Sequence, residues 1–296
     1  MRAAIARKLA QFQDLKVNFP TLDPYPSDKM YFGNVCFIGS DNATGIGVNL
    51  GRYVLDAHPK NKIILTGTGK GSVKNTENKG INKLEYFSQN VKDGNTPLDP
   101  KRTTVMQYDV LDPKPLSKID VLVVCAAYMN PKGLEMKTFE EIPDEYKAES
   151  RNVIVQGFQN AVNATNFNPH ASAFAVSYGG HTLPGYHVGP FKGELEDLIV
   201  NGERIKEGVR QNVLSFAFFE SVAVLAFDIS FKEIKEAFKE QNLDTPSLSE
   251  MVYGSIKAMH DKTLDRQIVH LDSGLRQALY DKKVNIPALV ARLGLN

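Results

Sequence analysis

Residues 35–52, VCFIGSDNATGIGVNLGR, run from four consecutive apolar residues through a glycine-rich turn into apolar positions at helical spacing. Val35, Cys36, Phe37 and Ile38 read as a strand buried on both faces, and Val48, Leu50 and Leu55 as the inner stripe of a helix. Between them Gly39, Gly45 and Gly47 give backbone freedom where the chain must turn and where other groups must come close. A helix opened in this way presents unpaired N–H groups at its N-terminus, a favourable place for phosphate. A strand, glycine turn and helix in this order is the arrangement of a dinucleotide-binding unit.

The rest of the chain repeats the theme. Lys62–Thr66 (KIILT), residues 104–110 (TVMQYDV), 120–128 (DVLVVCAAY), 172–180 (SAFAVSYGG), Val209–Leu214 and 266–274 (RQIVHLDSG) each contain a strand-like run. Several of these are separated by segments able to form helices, such as Val153–Val162 and the stretch holding Leu195, Leu198 and Ile199. Strands that are apolar on both faces need cover on both sides. The expected fold is therefore α/β: a Rossmann-like doubly wound, mostly parallel sheet of about seven strands with helices on both faces.

We expect residues 33–296 to form one domain, with residues 72–101 as a polar connection carrying a single small helix. Residues 1–32 read as an extension, a short surface helix followed by a linker marked by Pro20, Pro24 and Pro26, without the unbroken apolar stretch of a signal peptide. A formal net charge of +1 argues against a strong field for nucleic acid or an anionic membrane. Cys36 and Cys125 lie inside apolar runs, which fits a reducing compartment, the cytoplasm, and not a disulfide framework. The apolar run FAFFESVAVLAF at 216–227 points to a surface shared between copies, a homo-oligomer.

In this order the segments resemble the short-chain dehydrogenase/reductase family over about residues 33–278. DVLVVCAAY is similar to the family's DVLVNNAG segment, RNVIVQG places Asn152 at the helix asparagine that supports a proton relay, and GVRQNVLSF is similar to GIRVNAISP. The usual TGxxxGxG is replaced by Gly39, five residues, and Gly45-Ile46-Gly47, a longer turn that resembles divergent enoyl-acyl-carrier reductases. The strand-four region also resembles ketoreductase domains of large fatty-acid synthases. Both likenesses imply fatty acid biosynthesis and an acyl-thioester substrate.

Reduction of a carbonyl or conjugated alkene needs hydride from a nicotinamide and an acid that donates a proton or stabilises developing oxygen charge. A tyrosine paired with a lysine can be that acid. The family's Tyr-x-x-x-Lys is absent; GYHVGPFK instead places Tyr186 and Lys192 six positions apart, closer to the wider spacing of the enoyl reductases. The resemblance implies Tyr186 as proton donor or oxyanion ligand and Lys192 as its electrostatic partner and ribose contact. Pro190 places Tyr186 in a loop ahead of a helix beginning near Phe191. Ser177 is the expected polar contact to substrate and Tyr178 a pocket wall, although a register shift of one residue exchanges their faces. His181 and His187 flank the same loop without a third ligand, so no metal site is expected.

For the cofactor, the implied contacts are Gly39, Ser40, Thr44, Gly45, Ile46 and Gly47 in the turn, Asp109 and Val110 after strand three, and Cys125, Ala126 and Ala127 after strand four. The end of strand two carries no acid but has Lys70 close behind, which favours the 2′-phosphate of NADP over the free ribose hydroxyls of NAD. Two functions fit these residues: an NADP-dependent reductase of a carbonyl or enoyl group, or a noncatalytic nucleotide-binding or structural relative. The first is the expected function, and the unusual glycine and Tyr/Lys spacings support the second as its alternative.

Overall fold

The computed structural model describes residues 19–40, 45–69, 72–74, 79–126, 139–179, 188–216, 231–243 and 245–292. In chain order its first elements are β1 (Asn34–Ile38), α1 (Ile46–Ala57), β2 (Lys62–Gly67), β3 (Ser72–Lys74), β4 (Lys79–Asn82), α2 (Lys83–Lys92), β5 (Thr103–Gln107) and β6 (Leu116–Val124). Then come α3 (Asp144–Arg151), a π turn (Asn152–Gln156), α4 (Gly157–Ala164), β7 (Thr165–Tyr178), α5 (Gly189–Val200) and β8 (Arg210–Phe216). The chain continues through α6 (Phe231–Glu240), α7 (Leu248–His260), β9 (Ile268–Leu271), α8 (Leu275–Tyr280) and α9 (Ile286–Arg292).

Seven strands form one sheet in the order β5-β2-β1-β6-β7-β8-β9, and every adjacent pair in it is parallel. The order reverses between β1 and β6, so the two neighbours diverge into helices on opposite faces and leave a crevice at their carboxyl ends. The expected Rossmann-like sheet is present, and it is wholly parallel. The connection after β2 holds more than the single expected helix, because β3 and β4 pair as a small antiparallel hairpin.

The two-residue side-chain period of a strand sorts this sheet into two cores. Val35 and Phe37 of β1, Val121 and Val123 of β6, and Phe174 of β7 pack with α1, α2 and α7. The intervening Cys36, Ile38, Leu122, Val124, Ala173 and Ala175 pack with the π turn, α4 and α5. A smaller third cluster joins Tyr178 to Ala237 and Phe238 of α6 and to Leu275, Val284 and Leu289 near the C-terminus. The same alternation places Ser177 toward α5 and Tyr178 on the opposite face.

The proline-marked segment before β1 is bound to the domain. Asp23 N–H donates to Ser249 Oγ at 2.8 Å, Tyr53 Oη donates to the Asp23 carbonyl at 2.6 Å, and Phe19, Leu22 and Tyr25 lie against the first core.

The chain leaves β1 through Gly39, which has φ +77°, and a Cβ there would sit 2.8 Å from the Ala126 backbone beyond β6. Gly39→Ala therefore combines left-handed strain with a backbone clash, and should lower unfolding stability by at least about 2 kcal/mol. Urea denaturation of the two proteins measures this; equal midpoints would contradict the close approach.

Candidate active site

The carboxyl ends of β1 and β6 bring together most of the described residues expected to contact a cofactor. Cys125 N–H donates to the Ile38 carbonyl at 2.8 Å, extending the β1–β6 pairing past the last strand residue. Ser40 N–H donates to the Thr66 carbonyl at 2.6 Å, which ties the turn to β2 as well. Gly45 caps α1, and Ile46 and Gly47 in the first turn are buried. A Cβ on Gly47 would fall 1.9 Å from Ser40 Oγ and 3.0 Å from Cys125 Sγ, so this glycine is required by packing. Thr44, Lys70 and Ala127 lie outside the described residues.

The residues fit a dinucleotide phosphate. Ser40 is 2% exposed, and its hydroxyl has no hydrogen-bond partner among the described residues apart from the adjacent Cys125 thiol. A buried hydroxyl at the mouth of a helix whose first turn carries no acid is suited to an anionic oxygen. Gly39 and Gly47 would hold this cradle open, and Ser40 would donate into it. Burial pushes the Cys125 thiol up to about 12, which disfavours its thiolate.

Asp109 and Val110 stand beyond the end of β5. Asp109 accepts from Leu111 N–H at 3.0 Å. Val110 is buried against Gly157, and its carbonyl accepts from Asn160 Nδ2 at 3.0 Å. Asn152 opens the π turn, where its carbonyl accepts from Gly157 N–H. Its side chain is exposed. Such one-turn widenings of a helix recur at functional sites.

Lys192 is the described candidate whose environment is most altered. Pro190 occupies the first turn of α5, which begins two residues earlier than the sequence suggests, and Lys192 follows one turn inside. The side chain is 4% exposed, and Nζ donates to the Val176 carbonyl at 2.7 Å. Burial lowers the ammonium from 10.5 to about 8, against the opposing influence of Cys125 and Glu196. Ser177 is also buried, with its hydroxyl against Glu196 Oε1. Tyr178 lies across the strand in the third cluster, and Tyr186 lies outside the described residues, as do His181 and His187.

Sequence reasoning did not pick out Glu196, which meets Ser177, or Ser215, Asp272 and Arg276, which are linked to it by hydrogen bonds. A signal existed for Glu196, one helical turn after Lys192, and for Ser215, in register with Ser177 across β7 and β8. Nothing in the local sequence marks Arg276. Among the described residues no cluster of metal ligands is found, and no helix is long and apolar enough to cross a membrane.

No protein-family model and no curated protein matches the sequence. Solved structures do. A protein from Brucella melitensis described as a short-chain dehydrogenase/reductase and glucose/ribitol dehydrogenase aligns with a TM-score of 0.61 at 14% identity, over 84% of this chain and 99% of that one. The FabI–NADH complex from Alistipes finegoldii aligns with a TM-score of 0.61 at 16% identity, over 84% of this chain and 89% of that one. The chain has the fold of the short-chain dehydrogenases/reductases. In that fold the β1–β6 crevice is the topological switch point, the place where open α/β sheets bind ligands.

The buried ammonium makes a stability prediction. Between pH 8 and 10.5 the unfolded chain still holds a proton that folded Lys192 has lost, so unfolding free energy rises with pH; below about 8 both states hold it and the penalty is constant. Relative to Lys192→Met, the parent should gain up to about 3 kcal/mol across that window. Denaturant unfolding at pH 7, 8.5 and 10 tests this; a constant difference would refute the lowered ammonium.

Proposed function

We propose that the protein is an NADP-dependent oxidoreductase that reduces a carbonyl or enoyl group, with an acyl thioester as the substrate class. The observation that carries this reading is a buried lysine, its ammonium lowered to about 8, next to the Cys125 end of a glycine-lined crevice in a short-chain-reductase fold. A bound nicotinamide dinucleotide would supply the hydride. Gly39, Ser40, Gly45, Ile46 and Gly47 would hold its phosphates, Asp109 and Val110 would border the adenine, and Lys192 would face the ribose.

In this reading Tyr186 holds the proton that reaches the substrate, and Lys192, still mostly protonated at neutral pH, favours the phenolate left behind. Lys70 would meet the 2′-phosphate. Residues 33–296 would act as one reductase domain in the cytoplasm, assembled as a homo-oligomer, with residues 1–32 as an extension. Fatty acid biosynthesis is the process that such a substrate suggests.

A noncatalytic nucleotide-binding role is the second reading. Lys192 and Ser177 both have partners within the protein, Val176 and Glu196, and a working site would have to loosen or share these contacts.

Absorbance at 340 nm with NADPH and a panel of acyl thioesters separates the two. Turnover is expected, and Tyr186→Phe should reduce kcat by about 10²-fold or more with NADPH affinity nearly unchanged. Full activity in that variant would remove Tyr186 from the mechanism, while NADPH binding by an inactive parent would favour the second reading. Lys70→Glu should weaken NADPH by at least about tenfold, or about 1.4 kcal/mol, and NADH less. Equal losses measured by fluorescence titration would place Lys70 away from the phosphate.

A further inference from the structure

The ends of β7, β8 and β9 carry a buried polar network that the proposed chemistry does not use. Glu196 on α5, Ser215 on β8 and Asp272 after β9 are 5%, 0% and 1% exposed. Arg276, in the first turn of α8, enters from the C-terminal segment. It donates from Nη1 to Glu196 Oε2 at 2.5 Å, from Nη2 to Glu196 Oε1 at 2.7 Å, and from Nη2 to Ser215 Oγ at 2.9 Å. Ser215 in turn donates to Asp272 Oδ2 at 3.2 Å, which Arg276 Nε faces at 3.9 Å and His270 Nδ1 at 3.7 Å.

Such a pair is poorly explained by stability alone. Taking two charges out of water costs about as much as their attraction returns, and apolar replacements of similar volume are often neutral. What the pair does fix is geometry. A carboxylate only accepts, so the single proton of Ser177 is committed to Glu196, leaving the serine oxygen to act toward a third group as an acceptor. The same carboxylate stands one turn from Lys192, whose other neighbours are the Val176 carbonyl on β7 and the Cys125 thiol beyond β6.

We propose that Arg276 is a positioning residue for the active site: by its two-pronged pairing it holds Glu196 against Ser177 and one helical turn from Lys192, so the C-terminal segment completes the site. This rests on the reductase reading for its effect on turnover, but the coupling to Lys192 can be measured without turnover. Leu275, next to Arg276, packs with Tyr178, so docking of α8 reaches both faces of the β7 end.

The test uses full-length protein with ¹³C-labelled lysine, Lys192 being assigned by the signal lost in Lys192→Met. Glu196→Gln removes a negative neighbour and should lower the Lys192 titration midpoint by at least about half a pH unit. Arg276→Lys keeps the charge but not the fork, and should reduce kcat at least about tenfold, with KM changed less than about threefold and circular dichroism unchanged. Should Arg276→Met fold poorly, Arg276→Met combined with Glu196→Gln removes both charges and should regain the parent's folded fraction without regaining kcat. A Lys192 midpoint unmoved in Glu196→Gln, or parental kcat in Arg276→Lys, overturns the inference. If the parent turns over no substrate, the reductase reading fails by itself and the Lys192 titration still decides the coupling.

Discussion

The close approach of the backbone after β1 to the backbone after β6 is the contact on which the site depends. Gly39 can follow β1 only because no Cβ stands between it and Ala126, and Gly47 can start α1 only because its missing Cβ leaves room for Ser40 Oγ. With these two positions filled, α1 could not open at the sheet's switch point, and its N-terminal amides would not face the crevice. Register then follows from the strand period. Once Cys36 and Ile38 turn toward the second core, β6 and β7 are set, and with them the face on which Ser177 meets α5.

Most of the fold was legible because its information is local and redundant. Doubly apolar runs such as VCFI and DVLVV belong in a covered parallel sheet, and both runs fall inside strands, β1 and β6. The hairpin β3–β4 was not legible: its strands are three and four residues long, in a segment rich in Asn, Lys and Gly that gives no period to read. The lengths of β7 and of the helical stretch ahead of it also escaped, since Thr165–His170 has no apolar alternation to announce a strand and the π turn leaves no mark in composition.

The candidate site was legible in part, for a physical reason. Glycines and small residues report backbone crowding, which is why Gly39, Gly47, Cys125 and Ala126 could be named from sequence and come together in the structure. Charged partners converge from distant segments. Arg276 reaches Glu196 from 80 positions away, and no spacing rule connects them. Between Ser177 and Tyr178 the sequence left the facing open, and alternation from Ala173 and Ala175 resolves it by putting the serine beside α5. Two of the expected catalytic side chains, Lys192 and Ser177, are each held by a partner within the protein.

The central claim is that the crevice between β1 and β6 holds a nicotinamide dinucleotide, and hydrogen–deuterium exchange of the full chain with and without NADPH addresses it most directly. The account predicts slower amide exchange on NADPH addition in residues 39–50 and 121–127, with the edge strand β9 unchanged. Identical exchange at saturating NADPH, or protection confined to segments away from these strand ends, would contradict it.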